Sequence, residues 1–321
     1  MLAYPLGYIT PEDRTQQQQD AHAAALAAMP RFALPFTEPG GPVKVDLTRY
    51  WKRPEAIEDI GFEFDGFHQL TGSCVGASEG DGICTLSCIQ RCIGETPTKA
   101  FIPWWPFPYG RCRLAGGATR KGEGAVTSLM SQVLVREGCF NAGRPELPNF
   151  HRGDGLYLSE QTELDWSDGD SSLVEAWINI AREFPLGSCS PVYDAQSIRA
   201  GIINGYPCLN GCNLYVGSGQ IHGEGENAYV RGAYDGRGGH ATCFLGYWDH
   251  PDNGPLYLYS NQWPTSTYPR DPAGGGRCCI WIPESEVMKA FSQYGMGGGE
   301  CMLMSHLTYT PAQPKVLDWF V

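Results

Sequence analysis

Apolar residues recur at helical spacing up to about residue 205 and fall into short apolar runs thereafter. Val126, Leu129, Met130, Val133 and Leu134 mark one face of a helix over Ala125 to Glu137, closed by Gly138. The stretch from Val75 to Ile93 also reads as helix, although Gly76, Gly80 and Gly82 interrupt it, and Ser172 to Phe184 and Ala195 to Ile203 are further helices. Beyond Tyr206 come apolar strands at Tyr206 to Tyr215, His240 to Trp248, Leu256 to Tyr259, Arg277 to Ile282 and Cys301 to Thr310. Helices followed by strands predict an α+β protein with a helical lobe over about residues 43–165 and a sheet lobe over about 166–321.

Residues 1–42 stand apart from this pattern. Thr10-Pro11-Glu12-Asp13 has the form of a helix start, with Thr10 as cap and Pro11 at the first helical position, and the run from Gln16 to Ala28 supplies helix formers up to Pro30. Its apolar stripe is weak, so burial in a core of its own would gain little. The segment is therefore expected to be an N-terminal arm that buries Leu26, Met29 and Phe32 against another chain, with a short prosegment as the alternative.

Composition narrows the function. A formal charge of −12 argues against a nucleic-acid partner, because non-specific affinity for phosphates comes from Lys and Arg. No apolar run reaches the ~18–20 residues of a membrane span, so no membrane partner is expected. The first thirty residues lack a basic start followed by an apolar stretch, which predicts synthesis without a Sec-type signal. Thirteen cysteines, an odd number, leave at least one thiol unpaired if the rest form disulfides.

The chemistry concentrates in three segments. Gln69-Leu70-Thr71-Gly72-Ser73-Cys74 stands just before a helix, where unpaired N–H groups and the helix dipole favour thiolate over thiol. Gly239-His240-Ala241 opens one strand, and Asn261-Gln262-Trp263 follows its neighbour. A nucleophilic thiol needs an imidazole to take and return its proton and a third group to fix the imidazole's tautomer. Cys74, His240 and Asn261 supply those residue types, although each alone also reads as a core or turn residue.

Taken in order, Gln69, Gly72-Ser73-Cys74, Gly239-His240-Ala241, Gly246-Tyr247 and Asn261-Gln262-Trp263 resemble the papain family of cysteine peptidases. Val45-Asp46 resembles that family's mature start, Gly122-Glu123-Gly124 its substrate-pairing glycine strip, and Cys279-Ile280-Trp281-Ile282 its late strand. The resemblance implies a two-lobed papain-like fold, a helical lobe with an antiparallel β-sheet or barrel lobe. It implies Cys74 as nucleophile, His240 as base, Asn261 as its orienting group, Gln69 as oxyanion donor and Trp263 as a shield over the Asn–His contact. Gly122 and Gly124 would bind a protein or peptide substrate, and no metal or organic cofactor is required.

Departures accompany the match. His68 stands where the family's oxyanion glutamine usually does, Val75 replaces an aromatic, and Gln262 replaces a serine. Such changes fit distant bacterial and phage relatives, and the alternative function is a phage virion structural or assembly protein that meets other virion proteins through its arm. Cys84, Cys88 and Cys92 share a helix side and read as small buried side chains or disulfide partners, as do Cys208, Cys212, Cys278 and Cys279. The aromatic cluster Phe101 to Tyr109 lines a cleft or packs between lobes, and the glycine-rich insert Val216 to Arg237 forms a lid or a plain loop.

Overall fold

The computed structural model describes residues 7–30, 42–95, 99–118, 121–153, 155–182, 184–212, 214, 220–233, 239–262, 279–292 and 300–307. Ten α-helices lie among them. Helix α1 (Gln16–Ala28) is followed by α2 (Pro54–Ile60), α3 (Cys74–Cys92), α4 (Pro106–Ala115), α5 (Thr127–Arg136) and α6 (Glu160–Trp166). The short α7 (Ser172–Glu175) and α8 (Ile178–Ala181), then α9 (Ala195–Ile203) and α10 (Glu284–Ser292), complete the set.

The long third helix is the spine. It is buried from Cys74 to Gln90, and the glycines that weaken its propensity by ~1 kcal/mol each are required by packing. A Cβ at Gly76 would lie 2.6 Å from the Trp105 ring, one at Gly80 2.7 Å from the Phe67 ring, and one at Gly82 would strike the end of Met304. Trp104 and Trp105 are themselves fully buried, with Trp104 edge-on to Phe150 and Trp166, so the aromatic cluster is interior packing.

The helical side carries a small sheet, β2 (Phe67–His68), β4 (Gly155–Tyr157) and β3 (His151–Gly153) in that order. The other side is a nine-stranded sheet: β1 (Lys44–Asp46), β5 (Cys189–Pro191), β6 (Cys208–Cys212), β7 (Gln220–His222), β8 (Tyr229–Arg231), β9 (His240–His250), β10 (Gly254–Ser260), β11 (Cys279–Pro283) and β12 (Glu300–Met304). Its order is β5-β12-β6-β9-β10-β11-β8-β7, with β1 added antiparallel to β9, and all pairings but β11–β8 are antiparallel. Alternation along the strands divides the core. Ala241, Cys243, Leu245 and Leu258 share a cluster with α3, while Phe244, Tyr259, Ile280 and Ile282 pack with Ile198 and Ile202 of α9 and Val287 of α10.

Several sequence expectations are refined. The helix expected over Ser172 to Phe184 breaks into α7 and α8, and Trp177 between them stacks on Phe140 of the helical side, 4.9 Å between ring centroids. The insert before His240 is not a bare loop: its described part contributes β7 and β8, the latter pairing with β11. The first helix starts later than expected. Pro11–Asp13 forms one 3₁₀ turn, and α1 then begins afresh with Thr15, whose side chain accepts from Gln18 N–H in a capping box.

Candidate active site

Cys74 is the first residue of α3, and its Sγ accepts a hydrogen bond from Ala241 N–H at 3.2 Å. The antiparallel pairing of β9 with β10 sets Ser260 opposite Cys243, so Asn261 leaves β10 beside the start of β9. There His240 Nε2 lies 2.8 Å from Asn261 Oδ1. The same Oδ1 accepts the Gln262 backbone N–H at 2.9 Å, which identifies that atom as the amide oxygen. A carbonyl oxygen only accepts, so Nε2 carries the proton and neutral His240 has Nδ1 as its basic nitrogen. The three residues named from the sequence therefore come together on α3, β9 and the end of β10.

The loop before Cys74 hangs from two carboxylates, the buried Glu163 and the exposed Glu123. Glu163 accepts from Leu70 N–H and Thr71 N–H, both at 3.0 Å, from Thr71 Oγ1 at 2.7 Å and from Ser73 Oγ at 2.8 Å. Glu123 accepts from Gly72 N–H at 3.0 Å. Tyr109 Oη donates to Gly72 O at 3.0 Å, where Gly124 N–H also donates at 3.0 Å. Gln69 Nε2 donates to Thr71 O at 2.8 Å, and His68 is turned edge-on to Tyr157. Gly124 holds φ +86°, a left-handed conformation, while Gly122 lies against Arg113 and donates its N–H to Ser167 Oγ. Trp263 lies outside the described residues.

The cleft is filled by the chain's own N-terminal segment. Ala125 N–H donates to Gly7 O at 2.8 Å and Ile9 N–H donates to Ala125 O at 2.9 Å, a parallel pairing, while Tyr8 N–H donates to Gly239 O at 3.2 Å. Gly7 N–H is aimed at Cys74 Sγ. Only glycine fits at two points of this crossing: a Cβ at Gly7 would collide with Gly72 O, and one at Gly239 with Tyr8 O. Farther along, Arg14 forms a buried ion pair with Glu300 and donates to Tyr8 Oη at 3.2 Å. Glu300 also accepts from Thr127 Oγ1 and from Ser128 N–H at 3.0 Å. Leu26 and Met29, expected to meet another chain, pack on this domain's own core, and Phe32 lies outside the described residues.

Burial governs the electrostatics of this closed cleft. Desolvation pushes the Cys74 thiol up to about 12, with the amides of Ala241, Gly7, Val75 and Cys74 itself acting in the opposite sense. Desolvation also lowers His240 to about 4, against the raising effect of Asn261. Thiol and imidazole are both neutral at pH 5–8 in this state. Asp81, buried in α3, is raised to about 7, chiefly by burial. No helix among the described residues is long and apolar enough to cross a membrane, and none of their His, Cys, Asp and Glu groups is arranged to hold a metal. Every cysteine among them is a free thiol, with Cys208 Sγ and Cys301 Sγ 2.8 Å apart; Cys278 lies outside the described residues.

Comparison with solved structures decides the architecture. Xylellain, a cysteine protease from Xylella fastidiosa, superposes with a TM-score of 0.52 at 17% identity, covering 95% of this chain and 94% of its own. Procathepsin B S9 from Trypanosoma congolense gives 0.52 at 12% identity, over 95% and 93%. The fold is papain-like. No protein-family model matches the sequence, and no curated protein does. The two-lobed α+β arrangement expected from the sequence is the one found, with the nine strands described forming the sheet lobe.

Sequence reasoning missed the contacts made by Asp81, Glu123, Glu163 and Tyr109, and it favoured an arm over the prosegment alternative, under which residues such as Gly7 to Ile9 cross the cleft. Asp81 and Glu79 gave a signal: acidic residues among small and apolar ones in a helix with no polar face. Glu163 gave none, because it reaches its partners from a surface helix distant in sequence.

Proposed function

We propose that this papain-like chain is a cysteine peptidase that cleaves peptide bonds through Cys74, His240 and Asn261, and that residues 7–30 act as a short prosegment closing its cleft. The observation that carries the reading is the thiol at the start of α3 beside a His240–Asn261 pair whose hydrogen bond leaves Nδ1 as the basic nitrogen. Relatives of known structure with this fold include cysteine proteases, which supports the same reaction class.

In the open enzyme, Nδ1 of His240 takes the Cys74 proton. The sulfur forms a bond to the substrate carbonyl carbon while the carbonyl π pair moves to oxygen. Cys74 N–H and Gln69 Nε2, once Gln69 releases Thr71 O, would stabilise that oxyanion. Collapse breaks the C–N bond, the imidazolium protonates the departing amine, and water then hydrolyses the thioester by the reverse proton transfers. Ala125, next to Gly124, would offer the substrate backbone the pairing now made by the arm. The arm itself escapes cleavage because it presents the Gly7 amide to the sulfur, and an N–H offers no electrophilic carbon.

The test uses the full chain with a site-specific protease sequence placed within residues 31–41, folded intact and then cut. An epoxide-type cysteine reagent should modify Cys74 stoichiometrically after the cut and slowly before it, and peptide hydrolysis should vanish in Cys74→Ala. Modification spread over other thiols, with Cys74 spared, would remove the assignment.

A further inference from the structure

Asp81 lies about two turns along α3 from Cys74, fully buried. Its Oδ2 accepts from Ser260 Oγ at 2.6 Å and from Gln262 Nε2 at 2.9 Å. Its Oδ1 accepts from Phe67 N–H at 2.8 Å. The two side chains on Oδ2 belong to the residues on either side of Asn261. Gln262 completes the frame from its backbone: its N–H holds Asn261 Oδ1 at 2.9 Å, and its carbonyl accepts Gln69 N–H at 2.8 Å. One carboxylate therefore joins the nucleophile's helix, the strand leading to Gln69 and both neighbours of the residue that grips His240.

We propose that Asp81 is a positioning residue for the Cys74–His240–Asn261 site, fixing Ser260 and Gln262 so that Asn261 holds His240 in the Nε2–H tautomer. The proposal deepens the peptidase reading and rests on it. The physical requirement is for an acceptor. Three donors converge on Asp81, and a neutral amide in its place must turn its NH2 either toward Phe67 N–H or toward Ser260 and Gln262, setting donor against donor on one side. Among the described residues, the titratable groups facing Asp81 are Asp65 before β2, Cys84 on α3, Cys243 on β9 and Cys279 on β11, and none of these is a cation. Among the described residues, hydrogen bonds from Ser260, Gln262 and Phe67 hold the carboxylate in place. With burial lifting it to about 7, the arrangement is intact above that pH and loosens as Asp81 takes a proton below it.

The experiment is ¹⁵N NMR of histidine-labelled full chain, reading the two ring nitrogens of His240, which does not require peptidase activity. The wild-type protein should show one tautomer above pH 7, with a second ring population growing as pH falls through about 7. Asp81→Asn should lose the single tautomer at all pH values. The double variant Asp81→Asn with Gln262→Glu, which restores a donor–acceptor pair in the reverse direction, should recover it. If Asp81→Asn does not fold, Ser260→Ala and Gln262→Met, each deleting one donor, must both shift the His240 tautomer ratio in the same direction. Ring signals indifferent to these substitutions and to pH near 7 would overturn the proposal. A His240 that responds as expected in a chain whose Cys74 fails to react with the epoxide reagent would support the positioning role and refute the peptidase reading.

Discussion

Replacing Arg14 by Ala removes the cation that ties the N-terminal segment to Glu300. Both partners are buried, with side chains 3% and 2% exposed, so the variant leaves a desolvated carboxylate in the closed state. Thr127 Oγ1 and Ser128 N–H remain as donors. His22 lies 3.2 Å from Glu300 and its pKa is lowered by burial and by Arg14, so the comparison is made at pH 8.5, where the imidazole is neutral with Arg14 gone and supplies no replacement cation. Breaking a buried pair by removing one partner costs about 3–5 kcal/mol. When the arm lifts, Glu300 regains water, so most of that cost falls on the closed form alone. Taking the lower end, about 3 kcal/mol, the open population should rise on the order of a hundredfold. The assay is time-resolved alkylation by iodoacetamide with peptide mapping. A thiol fully buried in the closed state reacts only from open molecules, so its rate tracks their population. Cys74 should be alkylated about a hundredfold faster in Arg14→Ala, while Cys243, buried between α3 and the sheet, keeps its rate. An unchanged Cys74 rate, or a parallel rise at Cys243, would refute the reasoning: the first would mean the pair does not hold the arm, the second that the whole domain has been loosened.

Gly7→Val places a branched side chain against Gly72 O, so the arm should be displaced and the same alkylation rate at Cys74 should rise without loss of the domain's unfolding midpoint. Glu79 is fully buried, and neither of its carboxyl oxygens has a hydrogen-bond partner among the described residues. Glu79→Met should therefore stabilise the protein by about 1–3 kcal/mol in urea unfolding at pH 7. Burial raises the Glu79 pKa well above 4.5, so the folded state binds the proton more tightly than the unfolded chain. Its contribution is full below 4.5 and is lost as pH rises toward the folded value. The variant should lack that decline, and a steeper one would contradict the burial argument.

The sequence by itself determined the order of elements and the identity of the chemical groups. Spacing along Ala195 to Ile203 marks a helix that forms over those residues, because Ile198 and Ile202 lie one turn apart on its buried face. Cys74, His240 and Asn261 were legible because a helix start and two adjacent strand ends are local features that short motifs encode. Only the tertiary structure decided what holds these groups and what covers them. Glu163 and Asp81 act on residues far from them in sequence, through hydrogen bonds that exist only once α6, α3 and β10 have packed. The first helix shows the same division: its weak apolar stripe pointed to a segment that gains little from a core of its own. Whether that segment met another chain or its own domain depended on Gly7, Gly72 and Gly239 allowing two backbones to pass at closest approach, and on Arg14 reaching Glu300, contacts that no periodicity records.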